Sequence, residues 1–113
     1  MTALYNQGDF VMVNFDPTTG HEPKKRRPAL VVSTDSFNNV LSSLTVVCPI
    51  TSVDNGYPLH IKIADTNCVS GFICVEQLRS VDLRKRDALK LDDPIDEATM
   101  TKVLDAVGAI FNI

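Results

Sequence analysis

The strongest constraint on the fold is an alternation of apolar residues that breaks once and then resumes. Residues 10–15 (FVMVNF) place Val11, Val13 and Phe15 on one side of an extended chain and Phe10, Met12 and Asn14 on the other. Residues 16–28 (DPTTGHEPKKRRP) then open a turn at Asp16-Pro17, where proline fixes φ and the Asp side chain bonds back to the backbone. Pro28 pushes Arg27 toward an extended conformation, and residues 29–33 (ALVVS) read as a second, buried strand. Between the two strands lies a loop that carries His21, Glu22, Lys24, Lys25, Arg26 and Arg27.

The pattern continues in short extended pieces. Residues 34–39 are polar and suit a loop or one helical turn, and residues 44–50 (LTVVCPI) form a third strand. Pro49 cannot donate to a ladder, so the strand is expected to end, bulge or lie at an edge there. Asp54-Asn55-Gly56 signals a tight turn of the hairpin type. Residues 59–63 (LHIKI) set Leu59, Ile61 and Ile63 against His60 and Lys62, residues 71–77 (GFICVEQ) make a further strand, and residues 88–91 a short one. The last segment is helical: Asp93 is the expected N-cap, Pro94 suits the first turn, and Asp96 and Glu97 complement the positive helix end. Met100, Val103, Leu104, Val107, Ile110 and Phe111 recur at helical spacing as a packing stripe. Many short strands and one amphipathic helix predict a mostly β chain, a small, strongly curved antiparallel barrel closed by the C-terminal helix. A barrel of that size fills with side chains, so any site lies in the loops or on a face.

A chain of 113 residues without linkers or repeats predicts a single domain over residues 1–113. The net charge of −3 conceals an uneven distribution: residues 24–27 hold four of the eleven lysines and arginines. An acidic body with one cationic loop is a focused site for an anion, and stable binding of DNA by the chain alone is not expected. The three cysteines, Cys48, Cys68 and Cys74, include no C-x-x-C pair and read as reduced thiols. With no leader-like segment and no long apolar run, the expected location is the cytoplasm, away from membranes.

The sequence has no phosphate-binding glycine loop, no nucleophile elbow and no H-E-x-x-H. Two histidines and three scattered cysteines offer no zinc spacing, so no metal and no cofactor are expected. What remains is metal-free chemistry on an anionic substrate, or binding alone. Metal-free RNA cleavage requires a proton taken from the 2′-OH, a proton given to the departing 5′-oxygen, and support for the crowded phosphorus. His21 and Glu22 can shuttle protons, Arg27 can fork onto two non-bridging oxygens, and Thr51 and Ser52 can donate hydroxyl hydrogen bonds. Glu76 and Gln77 stand at the end of a strand. Singly, each residue also suits a turn, a strand-entry ion pair or a solvated face.

In their order and spacing, several strings resemble one family. Gly8-Asp9, Phe15-Asp16-Pro17-Thr18, Gly20-His21-Glu22 and Arg27-Pro28-Ala29-Leu30-Val31-Val32-Ser33 are similar to the start of MazF/PemK (Kid) toxins. Phe37-Asn38, Pro49-Ile50-Thr51-Ser52, Gly71, Glu76-Gln77, Arg79-Ser80-Val81-Asp82 and Arg86 continue the resemblance. It implies an SH3-like barrel and the toxin of a toxin–antitoxin pair, an endoribonuclease that cuts single-stranded mRNA at a specific sequence. It further implies a metal-independent cut leaving a 2′,3′-cyclic phosphate and a 5′-OH, a homodimer, and a cognate antitoxin covering the RNA surface. By position, the catalytic arginine falls on Arg27, the active-site threonine on Thr51, and the His-Glu pair on His21 and Glu22. Glu76 is a further catalytic candidate, with Lys24, Lys25, Arg26, Ser52, Gln77, Arg79 and Arg86 as RNA contacts. Where some members carry Arg-x-Asp-Gln, this chain reads Cys74-Val75-Glu76-Gln77, and Cys74 supplies no cation. The alternative is a non-catalytic toxin of the same fold that binds DNA gyrase, as CcdB does. A third reading is a barrel that only binds.

Overall fold

The computed structural model describes residues 5–15, 26–40 and 44–113. Seven strands form one antiparallel sheet: β1 (Phe10–Asn14), β2 (Arg26–Val31), β3 (Leu44–Thr51), β4 (His60–Lys62), β5 (Phe72–Cys74), β6 (Arg79–Asp82) and β7 (Leu89–Lys90). Two helices complete it, the short α1 (Asp35–Val40) and the C-terminal α2 (Glu97–Phe111). The path runs β4-β5-β3-β2-β1-β7, with β6 also paired to β3. The mostly β architecture with a C-terminal helix is therefore as expected. Barrel closure is not: among the described residues β4 and β7 are not paired, and the sheet curves without closing.

Alternation along the strands sends side chains to two cores. On one face Phe10, Leu30, Cys48, Ile50, Ile73 and Val75 pack with Met100 and Val103 of α2. On the other, Val11, Val13, Ala29, Val31 and Val47 pack with Tyr5, Val81 and Leu83. The helical stripe divides accordingly, since Leu104, Ile110 and Phe111 remain exposed.

The prolines sit where the ladders can spare a donor. Strand β2 begins at Arg26, earlier than the sequence predicts, and Pro28 lies opposite Met12 of β1. Val31 N donates to Asp9 O and Val32 N to Val46 O, an alternation that aims the Pro28 nitrogen at β3. It has no proton to give, and the β2–β3 ladder starts one residue later, at Ala29 opposite Pro49. Pro49 neither ends nor bulges β3. Its nitrogen faces the gap between the last residue paired with β6, Val47, and the first paired with β5, Ile50.

Three other expectations are corrected. Residues 54–56 do not join hydrogen-bonded neighbours, because β5 inserts between β3 and β4. The turn is instead closed by Asp54 Oδ1, which accepts from Gly56 N at 3.0 Å, and only Gly56 of the Asn-Gly pair has positive φ. The strand expected over residues 71–77 stops at Cys74, and Val75–Gln77 form a 3-10 turn in which Leu78 N donates to Val75 O. This turn carries the chain from β5 to β6 along the same edge of β3. The cap of α2 is Asp96 rather than Asp93. Thr99 N donates to Asp96 Oδ2 at 2.9 Å, while Asn67 holds Asp96 through both its side-chain amide groups.

Candidate functional site

Residues 16–25 lie outside the described residues, and with them His21, Glu22, Lys24 and Lys25. The remaining sequence candidates fall into two groups. Arg27, Thr51 and Ser52 line one cavity of about 240 Å³ with Pro28, Ile50 and Ser70. It opens at the point where Pro28 releases β2 from β3. Gly71, with φ of +124°, lies so close to β3 that a Cβ there would stand 2.5 Å from the Thr51 carbonyl oxygen.

The register places further groups on the same face. Neighbours across a ladder share a side of the sheet, and successive residues of a strand alternate. Arg27 shares the side of Ala29 and Val31, and Thr51 that of Val47, so both emerge on the face away from α2. Thr51 is opposite Phe72, and Cys74, two residues on from Phe72, is opposite His60. Arg27, Thr51, Cys74 and His60 therefore follow one another across three strand pairs.

Glu76, in the 3-10 turn, completes the row. His60 Nε2 lies 2.8 Å from Glu76 Oε2, and the imidazole is only 3% exposed, packed edge-on against Tyr57. Gln77 Nε2 donates to the same oxygen at 3.3 Å. Burial alone would raise the Glu76 carboxyl, but the hydrogen bond from His60, its own backbone amide, the charge of His60 and Gln77 together hold it below the usual carboxylate range. The thiols respond the other way. Burial pushes Cys74 up, and the Glu76 charge adds to this, against Arg27 and a backbone hydrogen bond from Thr51. Burial, with Cys74 and Glu76 nearby, pushes Cys48 up to about 12. All three cysteines are free thiols, and Cys68 is exposed.

The peripheral arginines already have protein partners. Arg26 pairs with Asp87. Arg79 stacks over the Phe15 ring at 5.4 Å from its centre, and Arg86 Nη1 donates to the Phe15 carbonyl at 3.4 Å. These contacts gather Arg79 and Arg86 at Phe15 and leave Arg26 paired with an acid.

His60 is the member that sequence reasoning missed. Its place on the polar side of an alternating strand was legible, but its partners depend on strand order. Sequence spacing offers no metal motif, yet the fold brings His60, Cys74 and Glu76 to within 4.8 Å of one another. Ser70 and Tyr57, which border the two ends of the row, carry no signal in the sequence.

The chain is thus a small antiparallel β protein with one C-terminal helix and an Arg–Thr cavity on the face away from α2. Over residues 6–111 the chain matches the family described as PemK-like, MazF-like toxin of type II toxin-antitoxin system, and it belongs to that family. It is 38% identical over 108 residues to the endoribonuclease toxin ChpB of Escherichia coli K12, covering 85% of this chain and 89% of that one. It is 33% identical over 85 residues to the endoribonuclease toxin MazF of the same organism, covering 75% of each. Among solved structures, MazF of Deinococcus radiodurans superposes with a TM-score of 0.82 at 34% identity, over 96% of this chain and 97% of that one. A MazE–MazF complex from that organism gives 0.81 at 30% identity, over 96% of each chain. The family and its endoribonuclease relatives favour the nuclease over the gyrase-binding alternative. No described helix is long and apolar enough to cross a membrane.

Proposed function

We propose that this chain is the toxin of a toxin–antitoxin pair, an endoribonuclease that cuts single-stranded mRNA through its own 2′-hydroxyl. The observation that carries the reading is the convergence of Arg27 and Thr51 on one cavity, with a hydrogen-bonded Glu76 on the same face. A cavity walled by a guanidinium and hydroxyls suits a phosphodiester, because Arg27 can fork onto two non-bridging oxygens while Thr51 and Ser52 donate to them.

The reaction follows from these groups. Glu76 takes the proton of the 2′-OH, the 2′-oxygen attacks phosphorus, and negative charge accumulates on the equatorial oxygens beside Arg27. Guanidinium holds its proton too tightly to act as the acid, so Arg27 stabilises charge and the departing 5′-oxygen takes its proton from His21. The products are a 2′,3′-cyclic phosphate and a 5′-OH, with no metal in any step. His60 is too buried to meet RNA and acts by orienting Glu76. Lys24 and Lys25, with the rim of Arg26, Arg79 and Arg86, attract the backbone, while Gln77 contacts a base or sugar. The working form is a cytoplasmic homodimer whose cognate antitoxin covers the Arg27–Thr51 face, a reading supported by the likeness to a MazE–MazF complex.

The test is a short RNA containing the cut site, incubated with the protein in EDTA beside the same RNA carrying one 2′-deoxy sugar at that site. The all-RNA strand is expected to give cyclic-phosphate ends and the substituted strand to stay whole. Cleavage of the 2′-deoxy strand at that bond would overturn the mechanism.

A further inference from the structure

We propose that His60, Cys74 and Glu76 form a binding site for a borderline-soft divalent cation of the zinc class, and that the ion silences the RNA site by taking the Glu76 carboxylate. The second half rests on the assignment of Glu76 above; the first half does not.

The three groups offer one nitrogen, one sulfur and one oxygen donor, all within 4.8 Å of one another. Zinc favours this mixed set, with bonds of about 2.0–2.3 Å and therefore donor separations of roughly 3.3–3.8 Å in a tetrahedron. The upper limit of 4.8 Å exceeds that spacing by about 1 Å, a gap that side-chain rotation can close. Two of the three donors are held in place by the fold. His60 and Cys74 are fixed as cross-strand partners on β4 and β5, and the ring is gripped edge-on by Tyr57.

Two features of the protein alone suit an ion. The His60 side chain is only 3% exposed, and its Nε2 is held at the site, 2.8 Å from Glu76 Oε2. Beside it stand the buried Cys74 thiol and the Glu76 carboxylate, and a divalent cation stabilises such donors in their anionic form. An ion has a way in: Glu76 borders an open apolar hollow of about 430 Å³ lined by Tyr57, Pro58 and Leu59. Three protein ligands leave a fourth position for water.

Cobalt(II) is the probe. Added to the full-length protein freed of metal, it should produce the thiolate-to-cobalt charge-transfer band of a sulfur-ligated ion. Cys68→Ser should keep the band. Cys74→Ser and Glu76→Gln, each checked for an unchanged far-ultraviolet spectrum, should lose it or bind zinc at least about 10–100-fold more weakly. Absence of the band from the wild type, or a band and zinc affinity unchanged in either variant, overturns the site. With zinc bound, wild-type RNA cleavage should fall to the rate of Glu76→Gln, and excess chelator should restore it. A sulfur-ligated site that leaves wild-type cleavage untouched would keep the metal proposal's first half and remove Glu76 from the reaction.

Discussion

In the proposed mechanism Glu76 works only if its free oxygen is aimed, and His60 is the group placed to aim it. A hydrogen bond to a charged group contributes about 1.5–3 kcal/mol. If that contribution orients the carboxylate in the transition state, His60→Ala lowers kcat by about 10–100-fold with KM little changed. His60→Gln, which restores a donor near Glu76, should recover part of the loss. A fall in KM-linked binding with kcat preserved would show that His60 supports RNA binding instead. Cys74 is the instructive departure at this scale. Resemblance points to a position that is cationic in some relatives, and the fold sets a histidine from the next strand directly opposite it.

At the scale of elements, the close approach of β5 to β3 depends on Gly71. An alanine there meets the Thr51 carbonyl oxygen and must hold a φ that L-residues rarely adopt. Such strain costs about 1–3 kcal/mol, so Gly71→Ala should lower Tm by about 4 °C or more and slow cleavage by displacing Thr51. An unchanged Tm would contradict the packing described. The other sensitive junction is the start of α2. Hydrogen bonds from Thr99 and Asn67 depress the Asp96 carboxyl from 3.8 to about 2. Its contribution to stability is therefore complete above 3.8 and fades as pH falls toward 2. The wild type's advantage over Asp96→Ala in urea midpoint should be constant near neutrality and shrink across that interval; a constant difference down to pH 2 would remove Asp96 as the cap.

The strands were legible because apolar alternation has a period that only extended chain satisfies, as in residues 10–15 and 59–63. Their order was not. The Asp54-Asn55-Gly56 signal is local, and nothing local reveals that β5 will insert between β3 and β4. The cap at Asp96 escaped for a similar reason, since Asn67, which selects it over Asp93, is distant in sequence. Within the site, Arg27 and Thr51 were legible from resemblance together with the chemistry of phosphate binding. The row that continues through Cys74 to His60 exists only once the register is known.

For the molecule as a whole, the sheet has two faces with different tasks. One is sealed by α2 over the first of the two cores. The other carries Arg27, Thr51 and Glu76 at its open end, rimmed by cations on an otherwise acidic chain of net charge −3. Such a distribution would draw the proposed RNA substrate to one place without coating the surface. The central claim is that this face cuts RNA by electrostatic support from Arg27 and without a metal. It is tested most directly by timing cleavage of a site-containing RNA in EDTA by the wild type and by Arg27→Ala of unchanged Tm. The wild type should cut in the chelator, and Arg27→Ala should be slower by about 10²–10³-fold. Cleavage by Arg27→Ala at the wild-type rate, or loss of wild-type cleavage in EDTA, would contradict it.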